Sequence, residues 1–159
     1  MANNYSQWSS ELEINSEAEY SWLQEILSLD PYGMADENDS LDRDKVISEI
    51  KQKFDFVLNY QDFDEPFPQF DSELSKNGLW VYAEEYGNIE ILGRIIQAFF
   101  RKFRPDGFFD MTWADTCSKM RVDEFGGGAM VVTAEKIEVF TVYDFVHQQR
   151  KLHNQNFKK

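Results

Sequence analysis

The chain has 159 residues and a formal net charge of −13 at pH 7, because 29 Asp and Glu residues outnumber 16 Lys and Arg residues. A hydrophobic content of 42%, including 16% aromatic residues, is enough for a core and excludes a wholly disordered chain. No apolar run of about 20 residues is present, which excludes a membrane-spanning helix, and the acidity disfavours direct binding to nucleic acid.

The length predicts one domain over residues 1–159, and the charge divides it unequally. Residues 1–75 hold 18 acidic and 4 basic residues, a net charge of −14, whereas residues 76–159 hold 11 acidic and 12 basic residues. We distinguish an acidic half at 1–75, a better-patterned half at about 76–152 and a basic tail at 150–159. The acidic half is either a solubilising surface or a surface that meets a basic partner, and composition does not separate the two.

In chain order, residues 10–14 alternate and fit either a short strand or the beginning of a helix. Asn15 or Ser16 is the predicted cap of a helix that continues through Leu29, where a Pro-containing segment ends it.

An acidic loop over residues 34–44 precedes a second predicted helix, which Asp44 caps. The predicted apolar face of that helix is Val46, Ile47, Ile50 and Phe54. After Phe54 we favour a strand to residue 58, although continuation of the helix is the alternative. Residues 61–70 contain two prolines and predict an exposed loop. Exposed aromatic residues are expected in and beside this loop at Tyr60, Phe63, Phe67 and Phe70.

The second half has clearer patterns, which give the order β-α-β-β-β-α. The predicted elements are a strand at 79–83, a helix at 89–103 capped by Asn88, a strand at 108–116, a hairpin of 128–133 with 136–142, and a final helix from Tyr143 or Asp144. The core face of the 89–103 helix is predicted to be Leu92, Ile95, Ile96, Phe99 and Phe103. This order predicts an α+β fold, in which helices pack mainly on one face of an antiparallel sheet.

Three consecutive glycines, Gly126, Gly127 and Gly128, are the most unusual local feature. The residues after them resemble a strand, whereas a phosphate-binding loop needs a helix there. We therefore favour a bulged or flexible beginning of a strand. The alternative is a small-ligand pocket formed by the glycines with Arg101 or Arg121.

Arg94, Arg101 and Arg104 form a stripe at helical spacing opposite the apolar face of the 89–103 helix. Such a stripe can bind phosphate or a carboxylate-rich partner. Pairing with the acidic half of the same chain is the interpretation we favour.

No arrangement of residues predicts catalysis or a metal site. Alternation places Cys117 on a mainly apolar face, where a thiol is inert, and His147 and His153 lie in the last helix or tail. The loop that begins at Asp36 resembles a calcium loop but has Leu41 and Ile47 where glycine and glutamate are required. We therefore expect no enzymatic activity, no cofactor and no metal.

The segments Trp113–Ser118, Phe125–Ala129 and Val132–Ala134 resemble small acidic accessory proteins of phages, plasmids and integrative elements. The resemblance covers about 40 residues, roughly Phe99 to Val139. It implies a bacterial cytoplasm and a mobile-element setting, in which such proteins disarm host defence by binding. The N-terminus lacks a signal-peptide pattern, which also favours the cytoplasm.

The resulting hypothesis is a non-enzymatic binding or inhibitor protein whose carboxylates take the place of nucleic-acid phosphates on a basic protein surface. The partner is expected to be a nucleic-acid-binding protein, and the oligomeric state stays open. The predicted partner-binding residues are Asp36, Glu37, Asp39, Asp42, Asp44, Asp62, Asp64 and Glu65. The alternative is a small-ligand or nucleotide-binding domain that uses the triple-glycine segment.

Overall fold

A computed structural model of the chain describes residues 3–34, 40–120 and 124–157, and it confirms the α+β fold. The strands are β1 (Asn4–Glu13), β2 (Asp71–Leu74), β3 (Gly78–Ala83), β4 (Phe108–Cys117), β5 (Gly126–Thr133) and β6 (Ile137–Thr141). They form one antiparallel sheet in the order β2-β3-β1-β4-β5-β6. The helices are α1 (Glu17–Leu27), α2 (Pro31–Met34), α3 (Ser40–Phe54), α4 (Ile89–Phe103) and α5 (Val142–Phe157), with a 3₁₀ helix at Tyr60–Phe63.

The first strand, β1, lies in the middle of the sheet and pairs with both β3 and β4. Trp8 stands opposite Ala83 on one side and Trp113 on the other. Of the two alternatives for residues 10–14, the strand is therefore correct for Ser10–Glu13. Because β1 comes from the acidic half, the two halves of the sequence share one sheet and one core.

The helix α4 forms as the sequence predicts. The Asn88 side chain accepts hydrogen bonds from the backbone N–H groups of Glu90 and Ile91, both at 3.1 Å, and so caps the helix. Its predicted core face is confirmed, because Leu92, Ile95, Ile96 and Phe99 are fully buried and Phe103 packs against the core.

The helix α1 begins after Ser16, whose hydroxyl accepts a hydrogen bond from the backbone N–H of Glu19. The predicted cap is thus confirmed, although the helix ends at Leu27 and not at Leu29. Trp22 lies at the centre of an aromatic cluster and contacts the rings of Phe54, Phe99 and Phe103.

The helix α3 begins at Ser40, so the prediction that Asp44 caps it is wrong. Asp44 lies one turn inside the helix, where its carboxylate accepts a hydrogen bond from the Tyr60 hydroxyl. The predicted apolar face is correct: Val46, Ile50 and Phe54 are buried.

The strand predicted after Phe54 is absent, and residues 56–59 lie outside the sheet. Asp55 has a positive φ of 53°, which ends α3 and turns the chain. The alternation that suggested a strand is nevertheless present, because Phe56 and Leu58 are buried and Val57 is exposed. The segment therefore fills the core without pairing to another strand.

The predicted exposed loop at 61–70 is partly wrong. Its first residues belong to the 3₁₀ helix, where Phe63 is only 1% exposed. Phe67 and Phe70 are half-buried and pack against the core, which leaves Tyr60 as the exposed aromatic residue of the four.

The two faces of the sheet differ sharply. Alternate residues of the strands, including Leu12, Leu79, Val81, Met111 and Met130, are buried on the side where α4 packs. The other side, which we call the open face, carries the intervening residues and is largely exposed.

Candidate protein-binding surface

Arg94 of α4 forms a bidentate ion pair with Asp62 of the 3₁₀ helix. The guanidinium donates two hydrogen bonds, of 2.7 and 3.0 Å, to the two carboxylate oxygens. The Asp62 side chain is 5% exposed, and the backbone N–H of Asn59 also donates to it at 2.7 Å. Asp62 is therefore not available to a partner, which corrects its predicted role.

Arg104 makes the same kind of pair with Glu19, which is buried near the beginning of α1. The two hydrogen bonds measure 2.9 and 2.8 Å. The Arg104 hydrogen bonds lower the pKa of Glu19 against the opposing effect of its burial, and the pair raises the pKa of Arg104.

Arg101 contacts Asp55 at 3.4 Å in an exposed ion pair and donates a hydrogen bond to the carbonyl of Ala134 at 3.0 Å. Every arginine of the predicted stripe thus pairs with a carboxylate from residues 1–75. The pairing interpretation is confirmed, and the stripe holds the acidic half against α4.

The other predicted partner-binding residues lie in two places. Asp42 and Asp44 are on α3, and Asp64 and Glu65 follow the 3₁₀ helix as exposed side chains. The Asp44–Tyr60 hydrogen bond links the two places and raises the pKa of Tyr60. The remaining predicted residues, Asp36, Glu37 and Asp39, lie outside the described part of the chain.

The three glycines begin the strand β5, as the favoured interpretation predicts, but they pair one to one with β4 and form no bulge. Gly127 has a φ of 145°, and a Cβ atom there would overlap the backbone of Trp113. A Cβ atom on Gly128 would overlap both the Trp113 ring and the backbone of Phe140. These glycines therefore allow strands and an indole ring to approach closely.

The structure does not bring Arg101 to the glycines. Arg101 bonds to Ala134, which lies seven residues beyond Gly127. At the rise of a strand this separation is about 23 Å, so the two do not form one pocket. Arg121, the other predicted member of that pocket, lies outside the described residues.

The sequence analysis missed the most distinctive surface, which is the open face of the sheet. The six strands contain seven carboxylates and no lysine or arginine. Exposed carboxylates of the open face are Glu11, Glu13, Asp71, Glu73, Asp110 and Glu138. Within the described part of the chain, Glu138 pairs with Lys136 at 2.8 Å and the other five form no ion pair.

An aromatic pair lies among these carboxylates. Trp80 and Tyr82 stack with ring centroids 4.3 Å apart, and Trp80 stays 42% exposed while its indole N–H donates to the Ser9 hydroxyl at 2.7 Å. The pairing register places Trp80 directly between Glu11 and Glu73. A flat, fixed aromatic surface is therefore bordered by negative charge on both neighbouring strands.

The pKa of Tyr82 is shifted by the carboxylates and the packing around it. Desolvation raises its pKa, and the negative charges of Asp71, Glu73 and Glu84 raise it further, because each disfavours a phenolate. The open face can thus attract cations, and its aromatic pair can stack with a planar one.

The described residues contain neither a metal site nor a membrane-spanning helix. In those ranges no cluster of three or more His, Cys, Asp or Glu residues could hold a metal ion, and no helix is long and apolar enough to cross a membrane. Cys117 is half-buried, and its thiol donates to the carboxylate of Glu124 at 2.9 Å.

The chain was compared with protein-family models, curated protein sequences and solved structures, and no match was found in any of them.

Proposed function

We propose that this chain is a non-enzymatic binding protein that docks a basic protein surface against the open face of its sheet. The observation that supports this proposal most strongly is the charge of the strands, which carry seven carboxylates and no basic residue. Arg94 and Arg101 of α4 and Arg104 directly after it neutralise other carboxylates of the acidic half. Among the described residues, Glu11, Glu13, Asp71, Glu73 and Asp110 of the open face stay without an ion pair.

The sheet holds these charges in a fixed array. Neighbouring strands are about 4.8 Å apart, and alternate residues such as Asp71 and Glu73 are about 7 Å apart along a strand. Because the sheet fixes the backbone, binding orders only the side chains and costs no further backbone entropy. The array is thus a rigid row of anions, the same chemistry that a nucleic-acid backbone offers to its binding proteins.

The aromatic pair identifies the side chain that the partner contributes. Arginine is planar, stacks on an indole and forms paired hydrogen bonds with carboxylates, whereas lysine offers only a point charge. An arginine placed over Trp80 meets Glu11 on one side and Glu73 on the other. The expected partner is therefore an arginine-rich groove of a nucleic-acid-binding protein, and a defence protein fits the mobile-element setting that the sequence resemblance implies.

Two variants with equal net charge test the location of this surface. The open-face variant carries Glu11→Gln, Asp71→Asn, Glu73→Gln and Asp110→Asn. The matched control carries Asp42→Asn, Asp44→Asn, Asp64→Asn and Glu65→Gln, which also removes four negative charges. The probe is an arginine-rich peptide, and titration calorimetry at moderate salt measures its binding.

The open-face variant is expected to raise the peptide dissociation constant at least about tenfold, and the control by less than about threefold. Trp80→Ala should weaken binding of the arginine peptide more than that of a lysine peptide of equal charge, because only arginine stacks. Equal losses in the two fourfold variants would show that overall charge, and not the open face, governs binding.

A further inference from the structure

We propose that the partner binds the open face with a basic α-helix, and that this helix lies across the strands of the sheet. The inference rests on the proposed function, because it concerns the same surface and the same kind of partner. It adds the secondary structure of the partner's binding element, its direction on the sheet and the spacing of its arginines.

Carboxylates of the open face lie in a row that crosses the strands. Glu73 of β2 and Glu11 of β1 both stand opposite Trp80 of β3 in the pairing register. On the other side of β1, the register with β4 continues so that Asp110 is level with Glu11. Four neighbouring strands thus contribute Glu73, Trp80, Glu11 and Asp110, in this order.

Contacts between β1 and β4 keep Glu11 and Asp110 together. The Ser10 hydroxyl donates a hydrogen bond to the backbone carbonyl of Asp110 at 3.3 Å, and both acidic residues line one cavity of about 280 Å³. Beyond Asp110, the row continues through Val131 to Glu138. The acidic row therefore holds four of the six exposed carboxylates of the open face, which are Glu73, Glu11, Asp110 and Glu138.

The rows on either side hold one carboxylate each. On one side Asp71 stands opposite Tyr82, and on the other Glu13 stands opposite Gly78. A partner that follows the acidic row from β2 to β4 meets three carboxylates without an ion pair over about 14 Å. A partner that follows one strand meets at most two. The charge therefore favours binding across the strands.

The spacing of the acidic row matches the pitch of an α-helix. Neighbouring strands are about 4.8 Å apart, and one helical turn rises about 5.4 Å. A helix across the strands thus places one side chain over each strand. The mismatch over four strands is about 2 Å, which long arginine and glutamate side chains can span together with the twist of the sheet. An extended peptide repeats its side chains about every 7 Å on one side and does not match each strand.

The row also predicts where the arginines of the helix are. Positions i, i+4, i+7 and i+11 lie on one face of a helix at intervals of about one turn. The first, third and fourth arginines meet Glu73, Glu11 and Asp110, and the second stacks on the exposed ring of Trp80. A helix is also an element with which many proteins read DNA, so this inference agrees with the expected class of partner.

Two alanine-based peptides of identical composition test the secondary structure and the spacing. The striped peptide carries four arginines at i, i+4, i+7 and i+11, and the scrambled peptide carries four arginines distributed around the helix. Titration calorimetry measures binding, and circular dichroism measures helix content. The striped peptide is expected to bind at least about tenfold more tightly and to gain helix when it binds.

Two double variants of the chain test the direction. The row variant, Glu73→Gln with Asp110→Asn, removes two charges of the acidic row. The matched control, Asp71→Asn with Glu13→Gln, removes two charges of the same face outside the row. The row variant should raise the dissociation constant of the striped peptide at least about tenfold, and the control by less than about threefold. Circular dichroism and thermal unfolding verify that each variant keeps the fold.

The possible failures of the two proposals are distinguishable. Equal binding of the two peptides, binding of the striped peptide without a gain of helix, or equal losses in the two double variants would overturn this inference. Each of these results leaves the proposed function in place, provided that the fourfold open-face variant still weakens binding more than its matched control. If that fourfold variant weakened neither peptide, the proposed function would fail, and this inference with it.

Discussion

Arg94 and Arg101 lie two turns apart on α4 and form ion pairs that differ in exposure. The Arg94 and Asp62 side chains are 17% and 5% exposed, and those of Arg101 and Asp55 are 42% and 62% exposed. Loss of one partner leaves a buried charge unpaired in the first case only.

Arg94→Ala is therefore expected to lower the free energy of unfolding by about 3–5 kcal/mol. Arg101→Ala should lower it by less than about 1 kcal/mol, because water and salt screen an exposed pair. Urea unfolding at neutral pH measures both values, and equal losses would contradict this account of the arginine stripe.

Glu19 makes the free energy of unfolding depend on pH in the acid range. Its pKa in the folded chain is held below the ordinary value of 4.5 for a glutamate, chiefly by the hydrogen bond from Arg104. A lowered pKa means that the charged form stabilises the fold above the pKa of the unfolded chain, and that this contribution disappears as the pH falls through the folded value.

The wild-type chain should therefore be more stable than Glu19→Gln at pH 7 and at pH near 5, and this difference should shrink below about pH 4.5. Urea unfolding of both proteins at several pH values measures the difference. A difference that stayed constant into the acid range would mean that Glu19 does not titrate with the fold.

At the scale of elements, two of the three glycines of β5 can be tested against each other. Alanine at Gly127 requires a positive φ and overlaps the backbone of Trp113, whereas alanine at Gly126 meets only Asp115 at an ordinary 3.6 Å. Gly127→Ala should thus destabilise the fold by about 1–3 kcal/mol and Gly126→Ala by less than about 0.5 kcal/mol. Thermal unfolding compares the two variants. A stable Gly127→Ala protein would instead favour an open loop that is free for a ligand.

The sequence predicted elements well where local signals agreed. For α4, the cap at Asn88 and the spacing of the buried residues both indicated a helix, and the structure has the predicted bounds. The strand β1 was harder to recognise because only one of its faces is buried, so Trp8 and Leu12 alternate with polar residues. Residues 56–58 gave the opposite error, because their alternation comes from core packing without strand pairing.

The open face could not be predicted because it depends on the register between distant strands. Glu11 and Trp80 are adjacent only because β1 inserts beside β3. Within the sequence, Glu11 appears as one carboxylate among 18 in the acidic half. The same reason explains the error at Asp62, which only the packing of α4 identifies as a buried partner of an arginine.

At the scale of the whole molecule, the net charge of −13 is the sum of two arrangements. Carboxylates such as Asp62 and Glu19 pair with arginines and hold the acidic half in place. On the open face, Glu11, Glu13, Asp71, Glu73 and Asp110 have no ion-pair partner among the described residues and repel one another, a cost that a solubilising surface spread over the molecule would reduce. Their concentration on a rigid sheet is what the proposed binding function requires.

The most direct test of this function is displacement by DNA. Three proteins are compared: the wild-type chain, the open-face variant, and the matched control that lacks four charges on α3 and after the 3₁₀ helix. Each is immobilised on a resin and incubated with a nuclease-treated bacterial lysate. Proteins retained at moderate salt are then eluted with a DNA duplex and identified by mass spectrometry.

If the carboxylates of the open face take the place of phosphates, the wild-type chain and the control should retain the same nucleic-acid-binding protein, and the duplex should release it. The open-face variant should not retain it. Retention of that protein by all three chains, or by none of them, would contradict the account.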